Sequence, residues 1–327
     1  MQVMQTRDAS ISRVWKSSMA ISTDCVDDHF DKDSVSSSDF TTPVRASLFP
    51  DSSPPPVLKR EMVIHLKEDR QDEAMYLADE YFRDIIKYTM HRQMMDRPSP
   101  IFENQVTKEM RAILIDWFND IVTEYSLKQE TLHLACNLVD RVLSILNIDK
   151  SQFQLVGTTC LMIAAKYEEV FAPEIKEFSV ITDNTYGVDE ILQMEKFLLA
   201  QLDFLVALPT AAWFAASFGK RMKFTEKMTK TMRYLVDLSL LDVHFLKYRP
   251  SDIAAAAACF ANVQLGKEAW PKEMVEDTGI VTDDFIDVLK DLHHMYISAP
   301  TSEYKSIFNK YCETDEMQVA LLFAPKY

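Results

Sequence analysis

Cysteine is the first residue type in this sequence that could bind a metal or act as a nucleophile. The five cysteines stand singly along the chain, at Cys25, Cys136, Cys160, Cys259 and Cys312. Zinc sites and disulfide frameworks both need characteristic close spacings of cysteine, which are missing here. The spacing therefore predicts reduced thiols buried in a core, with no metal and no cofactor.

Histidine is the second residue type that could do chemistry, as a general base beside a nucleophile. His133 lies within a predicted helix, and His293 and His294 have acidic and aromatic neighbours. No serine or cysteine motif of a hydrolase accompanies them, and the abundant carboxylates are typical of solvated helix faces. We therefore interpret these histidines as core or surface residues and expect the chain not to be an enzyme.

The overall charge favours protein partners. The 327 residues carry 35 Lys and Arg against 50 Asp and Glu, a formal net charge of -15. Such a surface repels nucleic-acid phosphates and acidic membranes, so we expect neither nucleic acid nor membrane as a partner. No apolar run reaches the roughly 18 residues that a membrane span needs, and the N-terminus is too polar for a secretory signal, which predicts an intracellular protein.

Residues 1–72 differ in texture from the rest of the chain. They are rich in Ser, Asp and Pro, as in Ser36–Ser38 and Pro54–Pro56, and show no sustained apolar period. A segment of this kind cannot bury enough surface to offset its chain entropy, which predicts a disordered tail. An N-terminal helix and a linker are then expected within residues 73–107.

The next stretch predicts five helices. Thr107 can cap a helix whose apolar positions from Met110 to Tyr125 recur at three- and four-residue steps. The other four helices are predicted at 129–146, at 151–170, after Pro173, and at 188–202. The helix at 151–170 is apolar nearly all round, and Gly157 permits close approach of a neighbour, so it should be the central helix.

After Pro209 the five-helix order repeats, with predicted helices at 210–219, 225–246, 251–264, 271–277 and 282–297. The whole chain contains only five glycines, which argues against turn-rich sheets. The predicted fold is all-α, with two tandem five-helix domains at 108–205 and 208–299. A C-terminal extension is expected at 300–327.

Four ordered segments resemble a known family. They are MRAILIDW at 110–117, LMIAAKYEE at 161–169, ITDNTY at 181–186 and LQMEKFLL at 192–199. Together they resemble the cyclin box, and the resemblance extends from Tyr76 to Pro325. The stretches LDFLVALPT at 202–210 and DLHHMYISAP at 291–300 look more like A-type than B-type mitotic cyclins.

The resemblance implies a regulatory subunit that binds and activates a cyclin-dependent protein kinase. It implies that Arg111 and Asp140 form a buried ion pair between the first two helices of the box. It also implies that Lys166 and Glu195 bind kinase backbone groups beside a mobile regulatory helix. The other residues expected to contact the kinase are Tyr167, Glu168, Glu169, Phe171, Phe204, Tyr81 and Tyr88.

A second surface implied by the resemblance docks substrates and inhibitors that contain an Arg-x-Leu motif. An apolar groove with acidic rims suits such a peptide, because it offers a leucine site beside charge-assisted hydrogen bonds. The groove is assigned to Met110, Ile113, Leu114, Trp117, Phe153, Gln154 and Ile181, and the acidic groups to Asp120, Glu124 and Asp183.

The tail contains two short motifs that resemble degradation signals of mitotic cyclins. RASL, from Arg45 to Leu48, matches the core of a destruction box, although the frequent terminal Asn is missing. MVIHLK, from Met62 to Lys67, resembles a motif that binds a ubiquitin-ligase coactivator, with Met62 in place of the usual Phe. The family further implies residence in the nucleus and cytoplasm.

One alternative stays open at the level of sequence. Cyclin-fold adaptors, as in general transcription factors or pocket proteins, share the helical architecture but bind other partners without activating a kinase. The acidic balance argues against contact with DNA. Stimulation of a cyclin-dependent kinase distinguishes the two classes.

Overall fold

The computed structural model describes residues 79–99 and 105–325, which form helices joined by short turns. In these two ranges there is no β-strand, and twelve α-helices are present. The predicted all-α class with two tandem five-helix domains is confirmed. The tail predicted at 1–72 lies outside the described residues.

The N-terminal helix and the first domain contain six of the helices. A 3-10 turn at Asp79–Tyr81 precedes the first of them. Their bounds are α1 Phe82–Arg92, α2 Lys108–Glu124, α3 Gln129–Ile145, α4 Lys150–Glu168, α5 Ile175–Ile181 and α6 Val188–Gln201.

The second domain and the C-terminal extension contain the other six. Their bounds are α7 Ala211–Arg221, α8 Glu226–Ser239, α9 Pro250–Gln264, α10 Lys272–Thr278, α11 Thr282–Ser298 and α12 Ser306–Cys312. Three 3-10 turns at Val243–Lys247, Ala299–Thr301 and Val319–Leu321 connect or follow them.

Threonine side chains begin the first helix of each domain. The Thr107 hydroxyl accepts a hydrogen bond from the Met110 backbone N–H at 3.2 Å, and the Thr210 hydroxyl accepts one from Trp213 N–H at 3.0 Å. Each hydroxyl satisfies one of the backbone donors that a helix N-terminus leaves unpaired. The cap predicted at Thr107 is therefore confirmed.

Each domain is built around a buried helix. In the first domain α4 packs against α3 and α6, and in the second α9 packs against α7, α8 and α11. The five alanines from Ala254 to Ala258 are all completely buried, so that small side chains let three helices approach α9. The prediction that these two helices are central is confirmed.

The helix predicted at 225–246 is wrong in its last third. Regular helix α8 ends at Ser239, and the chain continues into the 3-10 turn Val243–Lys247. The Asp242 carboxylate accepts a hydrogen bond from the His244 backbone N–H at 2.9 Å and starts this turn. The Leu240 carbonyl, free at the end of α8, accepts a hydrogen bond from Arg111 Nη1 at 2.7 Å.

Helix α1 and the turn before it expose two tyrosines. Ile86, Thr89 and Gln93 are buried, whereas Tyr81 and Tyr88 are 56% and 62% exposed. The buried face packs against the second domain, chiefly through α10. Tyr81 and Tyr88 are therefore accessible to a partner.

Two glycines on helices predict opposite effects of a methyl group. A Cβ on Gly157 would lie 2.7 Å from both Cδ atoms of Leu114, which is fully buried. One on Gly219 would lie 2.8 Å from the flexible Met232 Cε and at an ordinary contact distance of 3.5 Å from Phe224 Cδ2. We expect Gly157→Ala to lower the free energy of unfolding by about 1–3 kcal/mol through overpacking. Gly219→Ala should leave it unchanged or raise it by up to about 1 kcal/mol through helix propensity. Urea unfolding of the two variants measures the difference, and equal effects would contradict this account of the α2–α4 packing.

Candidate functional site

Lys166 and Glu195 form an ion pair on the surface of the first domain. Lys166 lies in the last turn of α4 and Glu195 in the middle of α6, and Lys166 Nζ is 2.6 Å from Glu195 Oε1. The Lys166 side chain is 45% exposed and that of Glu195 14%. The structure thus brings these two predicted residues together. The charged end of Lys166 remains accessible to a partner.

Large apolar side chains are exposed on the segments that carry this ion pair. Tyr167 follows Lys166, and Phe171 lies in the loop after α4, where it is 86% exposed. Phe204 follows α6 and is 70% exposed. Val170 and Phe197 are also exposed and were missed by the sequence analysis. Both are bulky apolar residues within or next to the matched motifs, and this sequence feature could have marked them as candidates.

The backbone around Phe204 is unusual. Asp203 and Phe204 have φ values of +50° and +57°, the left-handed region that non-glycine residues rarely adopt. Such strain persists where surrounding structure holds it, and it is common at functional sites. Here it holds the Phe204 ring in an exposed position at the end of the first domain.

Glu168 and Glu169 make contacts within the protein. Glu169 Oε1 accepts hydrogen bonds from the Lys128 backbone N–H at 2.7 Å and the Thr131 hydroxyl at 2.5 Å. The Glu168 carbonyl accepts one from Lys128 Nζ at 2.8 Å, and burial raises the pKa of the Glu168 carboxyl. The Glu169 carboxylate therefore stabilises the start of α3, a role that the sequence analysis did not predict.

Arg111 and Asp140 form a fully buried, bidentate ion pair. Arg111 Nε lies 2.5 Å from Asp140 Oδ1, and Nη2 donates to Oδ2 at 2.8 Å. The remaining contact, from Nη1 to the Leu240 carbonyl, reaches the second domain. The pair joins α2 to α3, and Arg111 also joins both helices to the end of α8.

The residues assigned to the docking groove are mostly inaccessible. Those with 9% exposure or less are Met110, Leu114, Trp117, Phe153, Gln154 and Ile181. Ile113, Asp120 and Glu124 are half-buried, and Asp183 is exposed. Of the assigned residues, the last four therefore present the most surface. The sequence could not make this distinction, because core and groove residues share one helix face.

Asp120 is engaged by the C-terminal extension. The Ser306 hydroxyl donates to Asp120 Oδ1, and the Ser306 backbone N–H donates to Asp116 Oδ1 at 2.9 Å. Asn119 Nδ2 donates to the same hydroxyl at 2.7 Å. The polar face of α2 therefore holds α12, a contact that sequence reasoning missed because residues 116 and 306 are far apart in the chain.

Four of the five cysteines lie among the described residues. Cys136, Cys160 and Cys259 are buried free thiols, and Cys312 is a partly buried one. Across residues 79–99 and 105–325, no cluster of three or more potential ligands could hold a metal ion, and no helix has the length and apolarity to cross a membrane. Cys25 and both degradation motifs, Arg45–Leu48 and Met62–Lys67, lie outside the described residues.

Comparison with protein families finds two matches that together cover most of the chain. The family described as "Cyclin, N-terminal domain" matches residues 84–207, and "Cyclin, C-terminal domain" matches residues 209–325. Their boundary falls between α6 and α7, where the first five-helix unit ends.

Individual relatives agree with these matches. "G2/mitotic-specific cyclin-A1" of Caenorhabditis elegans is 54% identical over 98% of this chain and 69% of its own length. "G2/mitotic-specific cyclin-A" of Spisula solidissima is 37% identical over 80% of this chain and 64% of its own. The chain thus spans about two thirds of the length of these relatives.

A solved structure shares the fold. The X-ray structure of a viral cyclin from herpesvirus saimiri superposes with a TM-score of 0.59 at 16% identity. The superposition covers 68% of this chain and 99% of the viral one.

The contact between α2 and α12 predicts a pH dependence of stability. Burial, with a further contribution from Asp120, raises the pKa of Asp116 to about 7 although Ser306 opposes the shift. A raised folded-state pKa gives stability that is fully present below the unfolded pKa, near 4, and is lost as pH rises through 7. We expect Asp116→Asn to reduce the loss between pH 5 and pH 8 by about 2–4 kcal/mol, because the amide stays neutral.

Urea unfolding at the two pH values measures this change, with the exposed Asp315→Asn as the matched control. Burial also raises the pKa of Glu130 to about 7, and this group keeps part of the slope in every variant. Equal slopes in Asp116→Asn and the unmodified chain would contradict the prediction.

Proposed function

The chain belongs to the cyclin family, and on that premise we propose that it binds and activates a cyclin-dependent Ser/Thr protein kinase and docks its substrates, controlling S phase or mitosis. Cyclins are regulatory subunits that activate kinases and are not enzymes themselves. The names of its relatives, which are A-type and mitotic-specific cyclins, support this assignment.

The observation that carries the proposal is the Lys166–Glu195 pair with exposed aromatic neighbours. Contiguous exposed apolar surface on a soluble protein commonly marks an interaction site. Aromatic side chains supply most of the binding energy at protein interfaces, and charged groups at the rim orient the partner. Tyr167, Phe171 and Phe204 have the exposure that such contacts require.

The proposed mechanism follows from what a protein kinase needs for phosphoryl transfer. The kinase must hold a lysine–glutamate pair in place through a movable helix and order its activation loop. A subunit that binds only the inward position of that helix shifts the kinase population toward the active state. The size of the shift equals its differential affinity for the two states. No atom of this chain enters the reaction.

Replacement of both charged residues by alanine tests the kinase surface. We expect Lys166→Ala with Glu195→Ala to weaken kinase binding at least about tenfold, which corresponds to about 1.4 kcal/mol. Titration calorimetry against purified cyclin-dependent kinases measures the affinity, and phosphorylation of a histone-type substrate measures activation. Far-UV circular dichroism should show unchanged helical content, because both side chains lie at the surface.

The matched control is the exposed ion pair between Lys290 and Asp287 on α11, 2.9 Å apart. Lys290→Ala with Asp287→Ala should leave binding and activation intact. An unmodified chain that stimulates no cyclin-dependent kinase, but binds a basal promoter complex, would instead identify a cyclin-fold adaptor.

For substrate docking, we propose a site of modest affinity at the accessible part of α2 and the turn after α5. Ile113 offers an apolar contact for the leucine of an Arg-x-Leu peptide, and Glu124 and Asp183 offer carboxylates for its arginine. A modest affinity suffices, because a docked substrate has a high effective concentration at the kinase.

Removal of the two rim charges tests the docking site. Glu124→Gln with Asp183→Asn should weaken the binding of an Arg-x-Leu peptide roughly tenfold. A hydrogen bond to a charged group contributes about 1.5–3 kcal/mol, and solvent screening at an exposed site reduces this contribution. Fluorescence anisotropy of a labelled peptide gives the affinity, with Asp283→Asn plus Asp287→Asn as the control. Unchanged affinity would place the peptide elsewhere.

We further propose ubiquitin-dependent degradation and residence in both nucleus and cytoplasm. The supporting features are the motif residues Arg45 and Leu48 and the segment Met62–Lys67, which would bind a ubiquitin-ligase coactivator. Arg45→Ala with Leu48→Ala should lengthen the half-life of the chain in mitotic extract at least about twofold, since a ubiquitin ligase reads such motifs in an extended segment. An unchanged half-life would argue against this motif.

A further inference from the structure

The proposed kinase surface is divided between two parts of the molecule. Lys166, Phe171 and Glu195 belong to the first domain, on α4, the loop after it and α6. Tyr88 lies on α1 and Tyr81 in the 3-10 turn directly before it, and both are attached to another part of the molecule. A rigid partner can contact both halves at once only when their relative position is fixed.

Helix α1 is attached to the second domain by polar contacts. Asp277 accepts hydrogen bonds from Arg83 Nε at 2.7 Å and Arg221 Nε at 2.6 Å, so it joins α1 to α7 and α10. Gln93 and Ser251 exchange two hydrogen bonds of 2.9 Å, from Gln93 Nε2 to the Ser251 hydroxyl and from Ser251 N–H to Gln93 Oε1. The Tyr81–Tyr88 half of the surface therefore moves with the second domain.

Asp237, on α8, joins the two domains through several hydrogen bonds. Its side chain is completely buried. Oδ1 accepts a hydrogen bond from Gln129 Nε2 at 2.6 Å and lies 2.9 Å from His133 Nε2, both on α3 of the first domain. Oδ2 accepts one from the Tyr311 hydroxyl at 2.7 Å, on α12. One carboxylate thus joins the first domain, the second domain and the C-terminal extension.

The electrostatics of this contact favour a charged carboxylate. Burial by itself would raise the pKa of Asp237, but the Lys310 ammonium 3.7 Å away and the hydrogen bonds from His133 and Gln129 outweigh it and hold the pKa at about 2. Lys310 Nζ also donates to Asn119 Oδ1 on α2 at 3.3 Å. A buried charge that is fully paired is costly to disturb, so the geometry around Asp237 is narrowly defined.

We propose that Asp237 is a positioning residue for kinase recognition, which holds the first domain and α1 in the one relative placement that lets both halves of the surface contact the same kinase. This role rests on the proposed function. The C-terminal extension takes part through Tyr311, so its contribution to kinase affinity is indirect and acts without contact to the kinase.

A double-mutant cycle tests this role by combining a change at the Asp237 contacts with a change at the proposed kinase surface. Tyr311→Phe removes one hydrogen bond from Asp237 and keeps the ring. Tyr88→Ala removes a proposed kinase contact in the half of the surface that contains Tyr81 and Tyr88. We expect Tyr311→Phe to weaken kinase binding about fivefold in the unmodified chain but less than about twofold in the Tyr88→Ala background, since one half no longer has to be in register. Binding is measured by titration calorimetry at a temperature where all variants are folded.

Tyr234→Phe is the matched control. Tyr234 packs against Tyr311, with ring centroids 5.0 Å apart, and its buried hydroxyl has no hydrogen-bond partner among the described residues. Removal of this hydroxyl should leave kinase affinity unchanged. Asp237→Asn, which turns an amide N–H toward groups that donate, should act as Tyr311→Phe does and more strongly; if it fails to fold, Tyr311→Phe carries the test.

The outcomes separate the two proposals. Additive effects of Tyr311→Phe and Tyr88→Ala, with normal kinase binding by the unmodified chain, would overturn the positioning role and leave the proposed function standing. A reduced melting temperature without coupling would likewise show a purely structural role. Failure of the unmodified chain to bind any cyclin-dependent kinase would overturn the proposed function and the positioning role together.

Discussion

The buried guanidinium of Arg111 is the constraint on which the arrangement of helices depends. An unpaired charge in this position would cost several kcal/mol, so every geometry available to the chain must bring acceptors to it. Asp140 supplies two oxygens from α3, and the Leu240 carbonyl supplies a third from the end of α8. The contacts of this one side chain therefore restrict the packing of α2 against α3 and the position of the second domain relative to them.

Polar contacts join the two domains, in addition to an apolar core that is continuous between them. Helices α4 and α9 bury mainly apolar side chains, and the hydrophobic attraction between them is non-directional, so by itself it leaves the relative orientation of the helices open. Directional contacts at Arg111, Glu130 and Asp237 remove that freedom; the Thr210 hydroxyl, for example, donates to Glu130 Oε1 at 2.6 Å. Hydrogen bonds in a buried setting have strict geometry, so they restrict how the two five-helix units can be placed relative to each other.

The surface offered to partners consists of what this interior leaves over. Phe171 and Phe204 remain exposed because no helix of the described chain covers them, and Phe204 is held outward by a left-handed backbone. On α2 the situation is reversed, because Met110 and Trp117 fill the core and Asp120 holds the C-terminal extension. A kinase surface based on exposed aromatics is therefore better supported by the geometry than the full docking groove.

Sequence alone determined the all-α class, most helix bounds and the two central helices, because apolar spacing and Thr caps act within a few residues. Similarity of motifs identified the Arg111–Asp140 pair and singled out Lys166 and Glu195, whose contact with each other only the structure shows. Tertiary structure alone decided which face of α1 is buried, that Asp120 serves α12, and that His133 meets Asp237. Residues 133 and 237 are 104 positions apart, and local periodicity carries no information on such a pairing. Only the packed chain brings a buried carboxylate to the donors that make its charge tolerable.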